Sequence, residues 1–79
     1  MNYINMSAAP EAVIQGDLIV VNGTLATVES SHADAPGWVI EYSWRSANGR
    51  IDTSYLWFDP DLGHLNSVAL VETRNSISD

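Results

Sequence analysis

The chain has 79 residues, three arginines, no lysine and ten acidic residues, for a net charge of −7. That charge repels DNA, RNA and anionic membranes, because phosphate binding needs clustered cations, and Arg45, Arg50 and Arg74 are too few and too spread. The length fits one domain, the absence of cysteine removes disulfides and thiolate metal sites, and no apolar run approaches the ~20 residues that cross a bilayer.

Residues 1–11 are small and polar with no positive n-region, and Pro10 closes the stretch. They read as a flexible N-terminal arm without a signal peptide, which points to a cytoplasmic protein. The folded domain is expected over 12–74 and a disordered tail over 75–79. Ala12, Val13 and Ile14 are candidates to pack back on the domain.

Asp17 to Asn22 holds four consecutive branched apolar residues between turn formers and predicts a buried strand. Asn22-Gly23 follows at once. This dipeptide suits a type I′ hairpin turn, which needs positive φ at both central positions. Thr24 to Ser30 reads as the return strand, with Leu25, Ala26 and Val28 as its apolar positions. Ser31 to Gly37 is polar and contains Pro36, so it is expected to be a loop, and loops on rigid scaffolds often carry function.

Trp38 to Arg45 and Arg50 to Phe58 both alternate. Trp38, Ile40, Tyr42 and Trp44 share one side of the first. Ile51, Thr53, Tyr55 and Trp57 share one side of the second. With Asn48 and Gly49 as a two-residue turn, Arg45 would face Asp52, Tyr42 would face Tyr55, and Ile40 would face Trp57. That register gathers the large rings on one face and opposes two opposite charges. Apolar residues on the other face, Val39, Leu56 and Phe58, hint at a tight barrel or a homodimer.

Asp59-Pro60-Asp61-Leu62-Gly63 predicts a single helical turn, with Asp59 as N-cap, Pro60 at the first position and Gly63 ending it. Ser67 to Thr73 is the expected last strand. The sum is an all-β fold: a five-stranded antiparallel meander curled into a small barrel, with one helical turn before the last strand. The Gly16-Asp17-Leu18-Ile19-Val20 opening and the Asp59-Pro60-Asp61-Leu62 turn between the fourth and fifth strands resemble the small SH3-like barrels. The resemblance covers most of Gly16 to Thr73 and implies that fold.

No catalytic pattern stands out. There is no Gly-x-Ser-x-Gly elbow, no phosphate-binding glycine loop and no dinucleotide fingerprint. Asp59, Asp61 and His64, with His32 from a distance, could be assembled into a metal set, but they match no known ligand spacing, and surface-turn aspartates explain them more simply. No cofactor, metal or enzymatic activity is therefore expected.

The reading that fits best is a non-catalytic module that binds a protein with a basic surface and contacts neither nucleic acid nor membrane. Asp34, Glu41, Asp52, Asp59 and Asp61 would supply charge, and Trp38 or Trp44 an apolar anchor. In size and charge it resembles the small acidic inhibitors, of the phage or mobile-element kind, that occupy nucleic-acid-binding surfaces of host proteins. The aromatic face is otherwise simply core, since a small domain needs large side chains to fill it. Capture of a nucleotide in an aromatic slot, or a structural role as a subunit of a larger assembly, are the alternatives.

Overall fold

The computed structural model describes residues 5–71, the side chains of Asn5, His64 and Leu65 excepted. The expected tail, Arg74 and the end of the expected last strand lie outside the described residues. The chain is all-β, with six antiparallel strands: β1 (Asn5–Ala8), β2 (Leu18–Val21), β3 (Thr24–Asp34), β4 (Gly37–Arg45), β5 (Ile51–Phe58) and β6 (Val68–Val71). They form a single sheet in the order β1-β6-β2-β3-β4-β5. Two 3-10 segments, Pro10–Ala12 and Pro60–Leu65, are the helical pieces among the described residues.

The sixth strand comes from the stretch expected to fray. Asn5 to Ala8 pairs with β6, Ser7 lying opposite Ala69 and Ala8 opposite Val68. In place of the expected small barrel there is an open sheet, because β1 and β5 each have one strand neighbour among the described residues and do not pair with each other. The sheet is nonetheless curled. β6 lies four positions from β5 in the sheet, yet the Asn66 amide donates to the Asp59 carbonyl at 2.7 Å. That bond brings the end of β5 beside the start of β6. Asp59 caps the intervening segment as expected, its carboxylate accepting from the Asp61 N–H at 2.9 Å. Gly63, with φ of 51°, breaks this segment where a single turn was expected to stop, and the chain then makes a second short turn.

Asn22 and Gly23 both have positive φ, and Val21 pairs with Thr24, so the first hairpin closes on the expected two-residue turn. The second Asn-Gly behaves differently. Gly49 N–H donates to the Ser46 carbonyl, and Ser46 N–H donates to the Arg50 carbonyl. Ala47, Asn48 and Gly49 thus form a three-residue loop, a turn followed by a bulge in which Gly49 takes the left-handed conformation at φ 85°. Asn48 reinforces it by accepting from the Arg50 N–H and the Ser46 hydroxyl.

One extra loop residue moves the whole ladder by one. Arg45 faces Ile51, Trp44 faces Asp52, Tyr42 faces Ser54, Ile40 faces Leu56 and Trp38 faces Phe58. The expected Arg45–Asp52 opposition is therefore absent, and the Arg45 guanidinium donates to the Gly49 carbonyl instead. The rings are divided between the two faces. Trp38, Tyr42, Trp44 and Phe58 lie on the inner face, and Tyr55 and Trp57 on the outer one.

β3 is longer than expected and crosses the region expected to be a loop. A bulge at Glu29 separates the pairs Val28–Tyr42 and Ser30–Glu41. The inserted residue flips the alternation, so Ala26 and Val28 point inward before it and Ser31 and Ala33 after it. The chain turns back only at Ala35-Pro36, a cis peptide, with Asp34 opposite Gly37.

The core sits on the inner face. Ile19 and Ile40 are fully buried, with Val13, Val28, Ala26, Tyr42, Val68 and Leu70 around them and Trp38, Trp44, Leu56 and Phe58 at the margin. Val13, expected to pack back, closes over this face. Asp17, 3% exposed, holds that segment in place. Its carboxylate accepts from the Ile14 N–H at 3.0 Å, and its carbonyl accepts from the Val28 N–H at 2.9 Å. Asp17→Ala leaves the part-buried Ile14 N–H without that acceptor and should cost about 1–3 kcal/mol in urea unfolding.

Ile40→Ala empties a fully buried site and should cost about 2–5 kcal/mol. Ile51→Ala, at a site 54% exposed, should cost under about 1 kcal/mol in the same measurement. Equal losses at the two sites would contradict the register.

Candidate protein-interaction face

The outer face of β3, β4 and β5 combines charge and exposed aromatic surface. Glu41 lies directly opposite Tyr55 on β5 and Ser30 on β3, and Ser43 lies opposite Thr53 and Thr27. The bulge turns Glu29 to the same side. Two short hydrogen bonds fix the acids: Ser30 hydroxyl to Glu41 Oε1 and Ser43 hydroxyl to Glu29 Oε2, each 2.6 Å. Both carboxylates are thus oriented on the sheet by serines and keep free lone pairs for a partner.

Beside them stand Tyr55, 65% exposed, and Trp57, 46% exposed. Glu29, Glu41, Thr53 and Tyr55 line a shallow hollow on this face. Trp57 is positioned by Gly37. A Cβ built on Gly37 would fall 2.7 Å from the Trp57 ring and would also meet the Phe58 carbonyl oxygen. The missing side chain lets the indole lie against the backbone of β4, opposite the buried Val39.

The residues expected to form a binding surface fall in three places. Glu41 is on the outer face. Asp34, Trp38, Asp59 and Asp61 sit at the end of the sheet where β3 turns into β4. There a hollow is lined by Glu11, Pro36, Trp38, Phe58 and Pro60, with Asp34 and Asp59 flanking these residues in the chain. Trp38 is half-buried and its indole N–H donates to the Ser31 hydroxyl at 2.9 Å, so it is held as a wall and does not project.

Asp52 and Trp44 lie opposite one another at the other end of β4 and β5. They are six residues along the strand from Trp38, or roughly 20 Å at strand rise. Trp44 stacks on Tyr42 with ring centroids 5.6 Å apart. Together these two rings and Val21, Thr24 and Ala26 wall a cavity of about 160 Å³. Trp38 and Trp44, expected to be the rings that reach the surface, are both half-buried.

Sequence reasoning missed Glu29, Tyr55 and Trp57 as surface residues. The signal for the two rings was their alternation with Leu56 and Phe58, which became legible only with the three-residue loop. Of the metal grouping weighed above, the His64 side chain lies outside the described residues. The Asp59 carboxylate is engaged at the start of the 3-10 segment, where it accepts from the Asp61 N–H.

No protein-family model matches the chain, and neither the curated proteins nor the solved structures yield a significant match.

Gly37→Ala should displace the Trp57 ring and the neighbouring backbone and cost about 1–3 kcal/mol. The companion double variant Gly37→Ala/Trp57→Ala should recover part of that loss, because the ring is then absent. A double-mutant cycle in urea reads the coupling, and additive losses would contradict the ring-on-backbone contact.

Proposed function

We propose that this chain is a non-catalytic binding module whose outer sheet face receives a protein with a basic surface. The observation that carries the reading is the pairing of serine-held Glu29 and Glu41 with the exposed rings of Tyr55 and Trp57. Carboxylates fixed in place receive Arg or Lys with little ordering cost, and Tyr and Trp are the residue types that anchor interfaces and stack on guanidinium groups. The net charge of −7 steers such a partner from a distance. The acidic end carrying Glu11, Asp34, Asp59 and Asp61 widens the negative field. A nucleic-acid-binding protein is the concrete partner class, since its phosphate-binding surface is cationic. In that form the chain acts as an inhibitor that occupies the surface a nucleic acid would use.

The test is a titration of the immobilised protein with a panel of basic nucleases and polymerases, with and without competing DNA. Expected is binding that DNA displaces and that weakens at least about tenfold between ~50 and ~500 mM salt. Trp57→Ala or Tyr55→Ala should weaken it by about 30-fold or more, and Glu29→Gln/Glu41→Gln should flatten its salt dependence. Binding indifferent to salt and to all of these changes would overturn the reading.

A further inference from the structure

β5 is the long edge of the sheet. Its described strand partner is β4 alone, across a ladder that runs without a bulge from Trp38–Phe58 to Arg45–Ile51. The Ser46 N–H to Arg50 carbonyl bond sets the phase of that ladder. Asp52, Ser54, Leu56 and Phe58 therefore turn their backbone groups toward β4, and Ile51, Thr53, Tyr55 and Trp57 turn theirs away. Those four residues are all exposed, as is Ser54 between them.

The devices that commonly protect an edge are few here. β5 contains no proline and the whole chain no lysine. Its one charge, Asp52, is an inward-pointing charge of the kind that can guard an edge, but it lies near one end of the strand opposite Trp44 and leaves the outer row neutral. The opposite edge, β1, has only four residues.

We propose that two copies of this chain associate by antiparallel pairing of β5 with β5 about a twofold axis, giving a continuous twelve-stranded sheet. The occupant follows from the strand's own pattern. Centred on Ser54, the pairing sets Ile51 against Trp57 of the second copy and Thr53 against Tyr55 of the second copy. Both are aromatic with β-branched pairs, a combination favoured across strands.

Of the neighbouring in-phase registers, this one alone matches all four outward residues with one another. A shift of one residue in each copy leaves Ile51 or Trp57 without a member of the set. Arg50 falls opposite Phe58 of the second copy, beside Asp59 in the chain, so one of the few cations meets an acidic stretch. The strand carries one of the ten acidic residues, Asp52, which falls opposite Leu56 of the second copy and not opposite another acid. This pairing needs no basic partner, but it shares Tyr55 and Trp57 with the basic-partner reading, so the Ser54→Cys and Thr53→Pro variants, which change neither ring, separate the two. The pairing leaves the outer face open and doubles it.

Sedimentation velocity from ~5 to ~500 µM should show a monomer–dimer equilibrium. Thr53→Lys/Tyr55→Lys places charge on the outward row without touching the core, and should raise the dimer dissociation constant at least ~100-fold at unchanged circular dichroism. Thr53→Pro, which removes an N–H turned away from β4, should act the same way.

Ser54→Cys reads the register directly. In a chain without other cysteines, two copies should cross-link under mild oxidation, whereas Thr27→Cys, on the outer face of β3, should not. A monomer throughout the range overturns the proposal. So does a dimer indifferent to the lysine and proline variants, or one in which Ser54→Cys cross-links no better than Thr27→Cys. Dimerisation through a different surface, or pairing of β5 only with an added peptide strand, is recorded by the same outcomes.

Discussion

Everything this protein presents to solvent depends on where one loop closes. Ser46 and Arg50 are joined by backbone hydrogen bonding across Ala47-Asn48-Gly49, and Gly49 at φ 85° absorbs the extra residue. A side-chain-bearing residue adopts that conformation only at a cost, so glycine makes the three-residue loop affordable. The strand period is two, and a shift of one position exchanges every side chain between faces. With this loop, Leu56 and Phe58 go to the core margin while Tyr55 and Trp57 face outward. With a two-residue turn the assignment would be reversed, and the outer face would carry Leu56 and Phe58 in place of Tyr55 and Trp57.

A second insertion, Glu29, works on the other side of β4. The bulge lets β3 stay paired through Asp34 while changing which residues face the core. It also turns Glu29 onto the outer face, where Ser43 binds it. Bulges strengthen local twist and bend the strand, which suits a sheet whose β5 end and β6 start are joined by the Asn66–Asp59 hydrogen bond. The inner face is then closed without a second layer of secondary structure. The Val13 segment, held by Asp17, covers what the curl leaves open. The same architecture that hides Ile19 and Ile40 leaves the outer face of β3, β4 and β5 and the long β5 edge without a further strand among the described residues.

The parts legible in the sequence were those set by local backbone demands. Asn22-Gly23 fixed a two-residue turn, Asp59-Pro60 started a 3-10 turn, and the alternation of Val68 and Leu70 located β6. What stayed hidden were insertions. Asn48-Gly49 has the same two letters as Asn22-Gly23, and only the Ser46 and Asn48 hydrogen bonds select the longer loop. The phase flip at Glu29 broke the alternation of β3, so Ser31 to Asp34 looked like a loop. β1 has little apolar signal of its own and exists because β6 offers it an edge. For the site, acidity was readable and its geometry was not. Glu41 was found, whereas Glu29, Tyr55 and Trp57 depended on the two insertions.

The acidic outer face and the β5 edge therefore share one cause, the register of β4 on β5. The chain lacks cysteine, so engineered pairs report this register cleanly. Arg45→Cys/Ile51→Cys places the thiols on directly opposed, non-hydrogen-bonded positions, within the ~4.4–6.8 Å Cα separation a disulfide requires. In a glutathione redox buffer this pair should close into an intramolecular disulfide at least ~10-fold more readily than Arg45→Cys/Asp52→Cys, whose side chains point to opposite faces. Preferential closure of the Arg45/Asp52 pair would contradict the register, and with it the exposed aromatic face.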